Sequence, residues 1–217
     1  MNAIILSAVW GVVMMFSGAF SKNKNAVRYL AIAGAALLLA FNILDMSSQG
    51  NHLFNIDSKK MLFFDTFGLL FNSIAFASTL LYFLLSAKDI ENVGPHGGEY
   101  FALIFFVLCG VSLVTSYNNL LMLFIGIEIL SIPLYILTGS SKRNLKSNEA
   151  SLKYFLMGAF STGIMLLGIA FLYGASKTGS FFIDDIGVGK MPATPLFIVG
   201  LLFSLVITCC NRLVKYY

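Results

Sequence analysis

The sequence predicts an all-α integral membrane protein with about seven transmembrane helices. Of its 217 residues, 58% are hydrophobic and only 11% are charged, whereas an average soluble domain carries roughly 25% charged residues. Long apolar runs recur along the chain, and polar segments separate most of them. Because a helix of about 20 apolar residues crosses the hydrocarbon core of a bilayer, each run is a candidate membrane span.

Seven apolar segments follow one another along the chain. They comprise residues 3–20, 26–44, 67–87, 101–116, 119–138, 154–173 and 193–210. The first is too long for the apolar part of a cleaved signal peptide, and no basic residue precedes it, so we expect it to remain as a span. Only two residues separate the fourth and fifth segments, which predicts a tight antiparallel hairpin. Because every polar segment is too short for a hydrophilic domain, we expect one helix bundle over residues 1–217.

The basic residues of the connecting segments predict the orientation. The connections after the first, third and fifth segments, with the C-terminus, hold nine Lys and Arg residues, and the remaining connections hold four. Since the side richer in Lys and Arg is cytoplasmic, we expect the N-terminus outside and the C-terminus in the cytoplasm. The net charge of +4 comes from these short connections and forms no basic stripe, so the lipid bilayer is the expected surrounding and nucleic acid is not a predicted partner.

Glu128 is the only charged residue in the fifth segment, and it lies near the centre of that segment. A carboxylate at this depth costs roughly 3 kcal/mol on insertion scales, and such groups mark proton relays, ion paths or structural pairs. Pro133 removes the backbone donor that would reach the carbonyl of Ile129, one residue from Glu128. We therefore interpret Glu128 as a proton-relay residue, the alternative being a structural carboxylate paired across the bundle.

Lys153 follows a predicted helix start at Ser147 or Asn148 and lies about one turn inside that helix. Its long side chain can extend back to the membrane surface. Alternatively, it can couple to Glu128, because antiparallel fifth and sixth helices would separate the two charges in depth by about 8 Å, a gap that a side chain and one water span. Both interpretations remain open at this point.

Small and polar residues in the sixth segment have two interpretations. The spacing of Ala159 and Gly163 predicts close helix packing, the alternative being a flexible point beside a polar site. Ser131, Ser161 and Thr162 either line a water path or bond back to their own helices.

Metal and nucleotide sites are not predicted. The three cysteines form no CxxC motif and no cluster with histidine, and no phosphate-binding loop is present. His52 and His96 fall in connections, and Asp45 and Asp65 fall at predicted helix ends, where we expect solvation at the headgroup level. We therefore expect no cofactor in this chain.

Two blocks of the sequence resemble a known family. The first runs from GEYFA at residues 98–102 through NNLL to GIEILSIPLY at residues 126–135, and the second is EASLKYFLMGAFSTG at residues 149–163, followed by LYGA at residues 172–175. Together they resemble the N subunit of the bacterial NADH-quinone oxidoreductase, respiratory complex I. The resemblance is specific over about residues 98–174.

This resemblance implies an antiporter-like subunit of the membrane arm, in the bacterial inner membrane. Glu128 matches the essential glutamate of the family's fifth helix and Lys153 matches the lysine of its sixth, so the resemblance implies proton translocation through these residues. NADH, flavin, iron–sulfur clusters and quinone would be bound elsewhere in the complex, and the other membrane-arm subunits would be the partners. The alternatives are a subunit of a sodium/proton antiporter or of a membrane-bound hydrogenase complex, and an inactive truncated membrane fragment.

The C-terminal residues depart from the family pattern. The family carries a lysine in its seventh helix, then a PFHxWxPDVYxGAP-like segment, and its chains are about twice as long. Residues 208–217 read TCCNRLVKYY and contain neither the lysine at that place nor the motif. Arg212 lies near the position of the lysine but does not release its proton readily. We therefore expect an N-terminal fragment of the family fold.

Overall fold

The computed structural model describes residues 2–20, 24–47, 61–91, 97–140, 144–176, 180–183 and 194–213. These residues form seven α-helices and contain no β-strand; one isolated antiparallel bridge joins Asn119 to Phe182. Each predicted segment coincides with one helix. The helices are α1 Asn2–Phe20, α2 Lys24–Ser47, α3 Thr66–Glu91, α4 Gly97–Thr115, α5 Leu120–Thr138, α6 Leu145–Ala175 and α7 Pro195–Leu213.

The chain is a multi-pass membrane protein. Helices α2 to α6 are long and apolar enough to cross a bilayer, and the apolar stretches of α1 and α7, Asn2–Gly18 and Pro195–Ser204, are shorter. The all-helical class is thereby confirmed. The exact number of spans, the outside N-terminus and the cytoplasmic C-terminus stay predictions.

The chain divides into two compact units, Met1–Ser116 and Tyr117–Tyr217. Unit 1 contains α1 to α4 and unit 2 contains α5 to α7. The single bundle over residues 1–217 stays a prediction. So does the hairpin of the fourth and fifth segments.

Aromatic side chains fill the core of unit 1. Phe76, Phe83 and Phe105 are fully buried, and the Phe83 ring meets the Phe101 ring edge to face at 5.1 Å between centroids. Helices α1 and α4 approach so closely that a Cβ on Gly18 would lie 2.9 Å from the Cα of Gly98. The unit is therefore held by ring packing and by backbone contact at small residues.

Helix α6 of unit 2 begins earlier than its apolar run. Its N-cap is Asn144, whose side chain accepts a hydrogen bond from the Lys146 amide at 3.0 Å. The predicted cap at Ser147 or Asn148 is wrong, because the Asn144 cap starts the helix first and the Ser147 hydroxyl instead donates to the Thr138 carbonyl at 2.7 Å. Lys153 consequently lies about two turns inside α6 rather than one.

The close contact between α6 and α7 is made by a different glycine from the one predicted. A Cβ on Gly168 would lie 2.6 Å from the Ser204 nitrogen and 2.8 Å from the Gly200 oxygen, both in α7. A Cβ on Gly163, by contrast, would meet nothing within 4 Å among the described residues, and Ala159 is exposed. The predicted Ala159/Gly163 packing pair is therefore not a helix contact in this part of the chain.

These two glycines predict opposite responses to the same substitution. Gly168→Ala forces α6 away from α7 and should destabilise the protein by about 1–3 kcal/mol. Gly163→Ala, the matched control, meets open space and should be neutral or stabilise by up to about 1 kcal/mol through helix propensity. Thermal denaturation of the purified protein in detergent measures both. A melting temperature for Gly168→Ala equal to or above that of Gly163→Ala contradicts the described contact.

Candidate functional site

Glu128 lies in the middle of α5, half-buried. It is eight residues from the first residue of the helix, Leu120, and ten from the last, Thr138, which corresponds to about 12 Å and 15 Å along the axis. The helix continues through Pro133, which is buried. The carboxylate therefore sits far from either end of the helix, beside a carbonyl that proline leaves without its backbone donor.

Polar groups follow Glu128 along one face of α5. Ser131 and Tyr135 come three and seven residues later, so all three side chains project from the same side of the helix. The Ser131 hydroxyl donates to the Ile127 carbonyl at 2.7 Å. The Tyr135 side chain interacts with the Ser131 hydroxyl and lies in the electrostatic field of the Glu128 carboxylate. We call Glu128, Ser131 and Tyr135 the α5 polar line.

The Tyr135 side chain joins the α5 polar line to α6. It is 8% exposed, and its ring stands edge-on to the rings of Tyr154 and Phe155, with centroids 4.9 Å and 5.7 Å away. Its hydroxyl lies against Gly158, where a Cβ would clash with it. Glycine at position 158 thus provides the space that the tyrosine hydroxyl occupies.

Two serine hydroxyls fix the register of α5 against α6. Ser151 Oγ donates to the Tyr135 carbonyl at 3.0 Å, and Ser147 Oγ donates to the Thr138 carbonyl at 2.7 Å. Position 135 therefore faces position 151, and position 138 faces position 147, as antiparallel helices require. These bonds also reach carbonyl groups in the last turn of α5, where backbone donors of the helix run out; the Tyr135 carbonyl accepts from Thr138 Oγ1 of its own helix as well, at 2.8 Å.

Lys153 is exposed and makes an ion pair on its own helix. Its ammonium nitrogen lies 2.7 Å from Glu149 Oε1, and the two side chains are 69% and 65% exposed. Among the described residues, Lys153 forms its ion pair with Glu149 and not with Glu128. The structure therefore does not bring Glu128 and Lys153 into contact.

The Tyr135 side chain reaches from the α6 level of Ser151 to the depth of Glu128. Its hydroxyl is level with Gly158, five residues further along α6 than Lys153, or about 7.5 Å deeper. Its backbone is seven residues from Glu128. Our sequence interpretation missed this tyrosine, although the spacing of Glu128, Ser131 and Tyr135 in an apolar run was the signal that could have identified it.

The remaining predicted polar residues have local partners or lie outside the described residues. Thr162 Oγ1 donates to the Ala159 carbonyl of its own helix at 3.2 Å, and Ser161 is buried. The Asp65 carboxylate accepts from the Thr66 amide at the start of α3, at 2.7 Å. His52 and His96 lie outside the described residues, and the structure describes no side chain for the residues of the last part of α7, which include Cys209, Cys210 and Arg212. Among the described residues, no group of three His, Cys, Asp or Glu side chains is placed to hold a metal ion.

Comparison with known proteins shows a family that part of this chain matches. Residues 117–210 match the family described as NADH:quinone oxidoreductase/Mrp antiporter, transmembrane region. NADH-quinone oxidoreductase subunit N of Cytophaga hutchinsonii is 39% identical over 202 residues, which is 93% of this chain and 42% of that protein. The chain is thus similar to the NADH:quinone oxidoreductase/Mrp antiporter family over residues 117–210. Subunit N of Flavobacterium psychrophilum is 35% identical over 95% of this chain and 44% of its own length, so the chain spans less than half the length of these relatives.

Solved structures share the fold of this chain. A chain of respiratory complex I from Thermus thermophilus with bound aureothin superposes with a TM-score of 0.71 and 28% identity, over 94% of this chain and 42% of that one. A chain of the membrane-bound sulfane sulfur reductase, an archaeal respiratory membrane complex, gives a TM-score of 0.80 at 21% identity, over 95% of this chain and 43% of that one. The second likeness concerns the fold alone.

The contact between Tyr135 and Gly158 predicts a measurable coupling. Gly158→Ala should destabilise the protein by about 1–3 kcal/mol, because the new methyl group displaces the tyrosine ring. In a Tyr135→Phe background the cost should shrink, because the hydroxyl nearest the methyl group is gone while the ring remains. Melting temperatures of the four proteins in this double-mutant cycle give the coupling. An equal cost of Gly158→Ala in both backgrounds argues against a hydroxyl lodged on α6.

Proposed function

We propose that this chain acts as part of a proton-translocating membrane subunit of an NADH-quinone oxidoreductase, in which electron transfer from NADH to quinone drives proton pumping. The single observation that carries the proposal is the Glu128 carboxylate in the middle of a membrane-spanning helix, continued by hydroxyl groups toward α6. The names of the relatives support the same function. A carboxylate at this depth is costly to insert, and such groups occur mainly at functional sites.

The proposed pathway starts with a proton held on Glu128. Ser131 and Tyr135 follow on the same face of α5, and each hydroxyl both accepts and donates a hydrogen bond. For a proton to move along the α5 polar line, the Ser131 hydroxyl turns from the Ile127 carbonyl toward Tyr135. Ser131 then accepts the proton from Glu128 as it gives its own to the Tyr135 hydroxyl, which passes its own proton on. The distance of seven residues between Glu128 and Tyr135, about 10 Å, requires Ser131 or water as an intermediate.

Lys153 is proposed as the aqueous end of this pathway. Its ion pair with Glu149 at 2.7 Å directs the ammonium group toward the start of α6 and away from Glu128. Proton transfer from the polar line to Lys153 requires the lysine to leave Glu149 and first to release a proton to water, because an ammonium group has no lone pair that could accept another proton. The Glu149–Lys153 pair would then hold the pathway closed, and release of the pair would open it.

The proposal assigns the redox chemistry to other subunits. NADH, flavin, iron–sulfur clusters and quinone would be bound elsewhere in the complex, and this chain would contribute proton transfer without a cofactor of its own. The other membrane-arm subunits are the proposed partners, and the bacterial inner membrane is the proposed location. This role requires this chain to move protons only, so the enzyme activity would be that of the whole complex.

A second candidate function follows from the family description, which also includes the Mrp antiporters. In that case the same Glu128 and Lys153 would serve sodium/proton exchange without NADH oxidation. Sodium-dependent proton movement in vesicles that lack the nucleotide-binding subunits would favour this second function. Proton pumping that requires NADH and a quinone, and does not respond to sodium, favours the first.

Substitution of Glu128 tests the proposed function. Glu128→Gln keeps the size and hydrogen bonding of the side chain but cannot release a proton, so proton pumping coupled to NADH oxidation should be abolished while the complex still assembles. The readout is proton uptake by inverted membrane vesicles on addition of NADH. The control is Glu99→Gln, the same change at an exposed position in the first turn of α4, which should pump normally. Full pumping by the Glu128→Gln complex would falsify the proposal.

A further inference from the structure

Unit 1 contains a second concentration of polar side chains, distinct from Glu128 and its neighbours. They occupy one level of the four-helix unit, near the start of α1 and the ends of α2 and α4. We call them the polar layer. Its members are Asn2, Asn42, Asp45, Asn72, Ser73, Ser112, Thr115 and Ser116.

Hydrogen bonds across the polar layer join α2 to both of its neighbours. Asn2 Nδ2 of α1 donates to Asp45 Oδ1 of α2 at 2.8 Å. The expectation that Asp45 is solvated at the headgroup level is therefore incomplete, because one of its oxygen atoms is held by α1. One turn earlier on α2, Asn42 Nδ2 donates to Ser73 Oγ of α3 at 2.7 Å.

The polar layer continues from α3 to α4. Thr115 Oγ1 donates to Asn72 Oδ1 at 3.0 Å, and Asn72 is the neighbour of Ser73 in the chain. On α4 the Ser112 carbonyl accepts from the Ser116 hydroxyl at 2.7 Å. It also lies 3.1 Å from Thr115 Oγ1, whose one proton it shares with Asn72 Oδ1. Successive bonds thus connect all four helices at one level.

The orientation of the Asn42 side-chain amide is fixed by its surroundings. Its nitrogen faces the Leu69 carbonyl oxygen at 2.9 Å and Ser73 Oγ at 2.7 Å. The Ser73 hydroxyl itself donates to the Leu69 carbonyl at 3.0 Å, so Ser73 accepts from Asn42. A carbonyl oxygen can accept hydrogen bonds but cannot donate them. A flipped Asn42 amide would therefore place Asn42 Oδ1 against the Leu69 carbonyl oxygen with no hydrogen between them. Both amide hydrogens of Asn42 are therefore used.

The oxygen atom of Asn42 is left without a donor from the described residues. Asn42 is fully buried, and its Oδ1 has no hydrogen-bond partner there. The same holds for Ser112 Oγ, in a residue that is 1% exposed. Buried polar atoms are nearly always hydrogen-bonded, to protein or to ordered water, and an unsatisfied group inside a bilayer is especially unfavourable. These two atoms point to a further ligand.

We propose that the polar layer of unit 1 is a binding site for ordered water, which donates a hydrogen bond to Asn42 Oδ1 and bonds to Ser112 Oγ. Both groups are uncharged, so a neutral donor satisfies them without bringing a charge into the membrane interior. Buried waters typically make about three hydrogen bonds to groups that the protein leaves unsatisfied, and the polar layer offers several acceptors at one level. Water here completes the network that joins α1 to α4.

A density map of the intact membrane complex that contains this chain tests the site directly. We expect density for a water molecule at about 2.7–3.2 Å from Asn42 Oδ1. A well-resolved map in which apolar side chains surround Asn42 Oδ1 and no such density is present overturns the proposal.

Removal of the Ser112 hydroxyl gives an independent readout. If water bonds to Ser112 Oγ, Ser112→Ala should lower the melting temperature of the full chain in lipid nanodiscs by about 2–4 °C, because a satisfied hydrogen bond is lost. The control is Ser78→Ala, outside the polar layer, whose exposed hydroxyl donates to the Ile74 carbonyl of its own helix at 2.8 Å, and which should change the melting temperature less. An unchanged or higher melting temperature for Ser112→Ala contradicts the proposal, since deleting an unpaired hydroxyl removes a cost. A melting temperature that rises with Na⁺ but not with K⁺ also contradicts it and identifies a cation at the site instead.

Discussion

The structure depends on one constraint: polar groups inside a bilayer must find their partners within the protein, because lipid offers none. The backbone meets this requirement by forming helices in all of the described apolar segments. Hydroxyl side chains meet it by bonding to carbonyl groups of the preceding turn, as Ser131, Thr79 and Thr162 do. Other polar groups meet it by bonding across helices, as Asn42 does with Ser73.

Glu128 is the residue at which this constraint bears on function. Its carboxylate is in the middle of α5, and the ion pair found among the described residues of this unit joins Lys153 to Glu149 instead. A carboxylate in this setting is costly to insert into a bilayer, and such groups occur mainly at functional sites. The ionisable carboxyl group that makes Glu128 costly in the membrane is therefore also the group that the proposed function uses.

Glycine residues determine how closely the neighbouring groups approach Glu128 and each other. Gly158 leaves space for the Tyr135 hydroxyl, and Gly168 brings α6 against the backbone of α7. Gly163, between them in the sequence, has open space around it. The same residue type thus serves a polar contact at one position and helix packing at another, and only the register of the helices distinguishes the two.

Much of the fold could be predicted from the sequence, because an apolar run long enough to cross a bilayer has few alternatives to a helix. The central depth of Glu128 followed from the same run. The start of α6 could not be predicted correctly, since residues 145–153 are polar and resemble a connection, yet Asn144 caps a helix there. The register of α5 and α6 determines that Tyr135 contacts Gly158 and that Lys153 is separate from Glu128. Hydrogen bonds from serine hydroxyls of α6 to carbonyl groups of α5 set this register. No sequence pattern within one helix encodes it.

The central claim is that Glu128 exchanges a proton in the working complex. Infrared difference spectroscopy of the complex during NADH oxidation, with the glutamate carboxyl groups labelled with ¹³C, measures this directly. The account predicts a protonated carboxyl band that changes during turnover and is absent from the Glu128→Gln complex. A difference spectrum that is the same in the wild-type and Glu128→Gln complexes would contradict it.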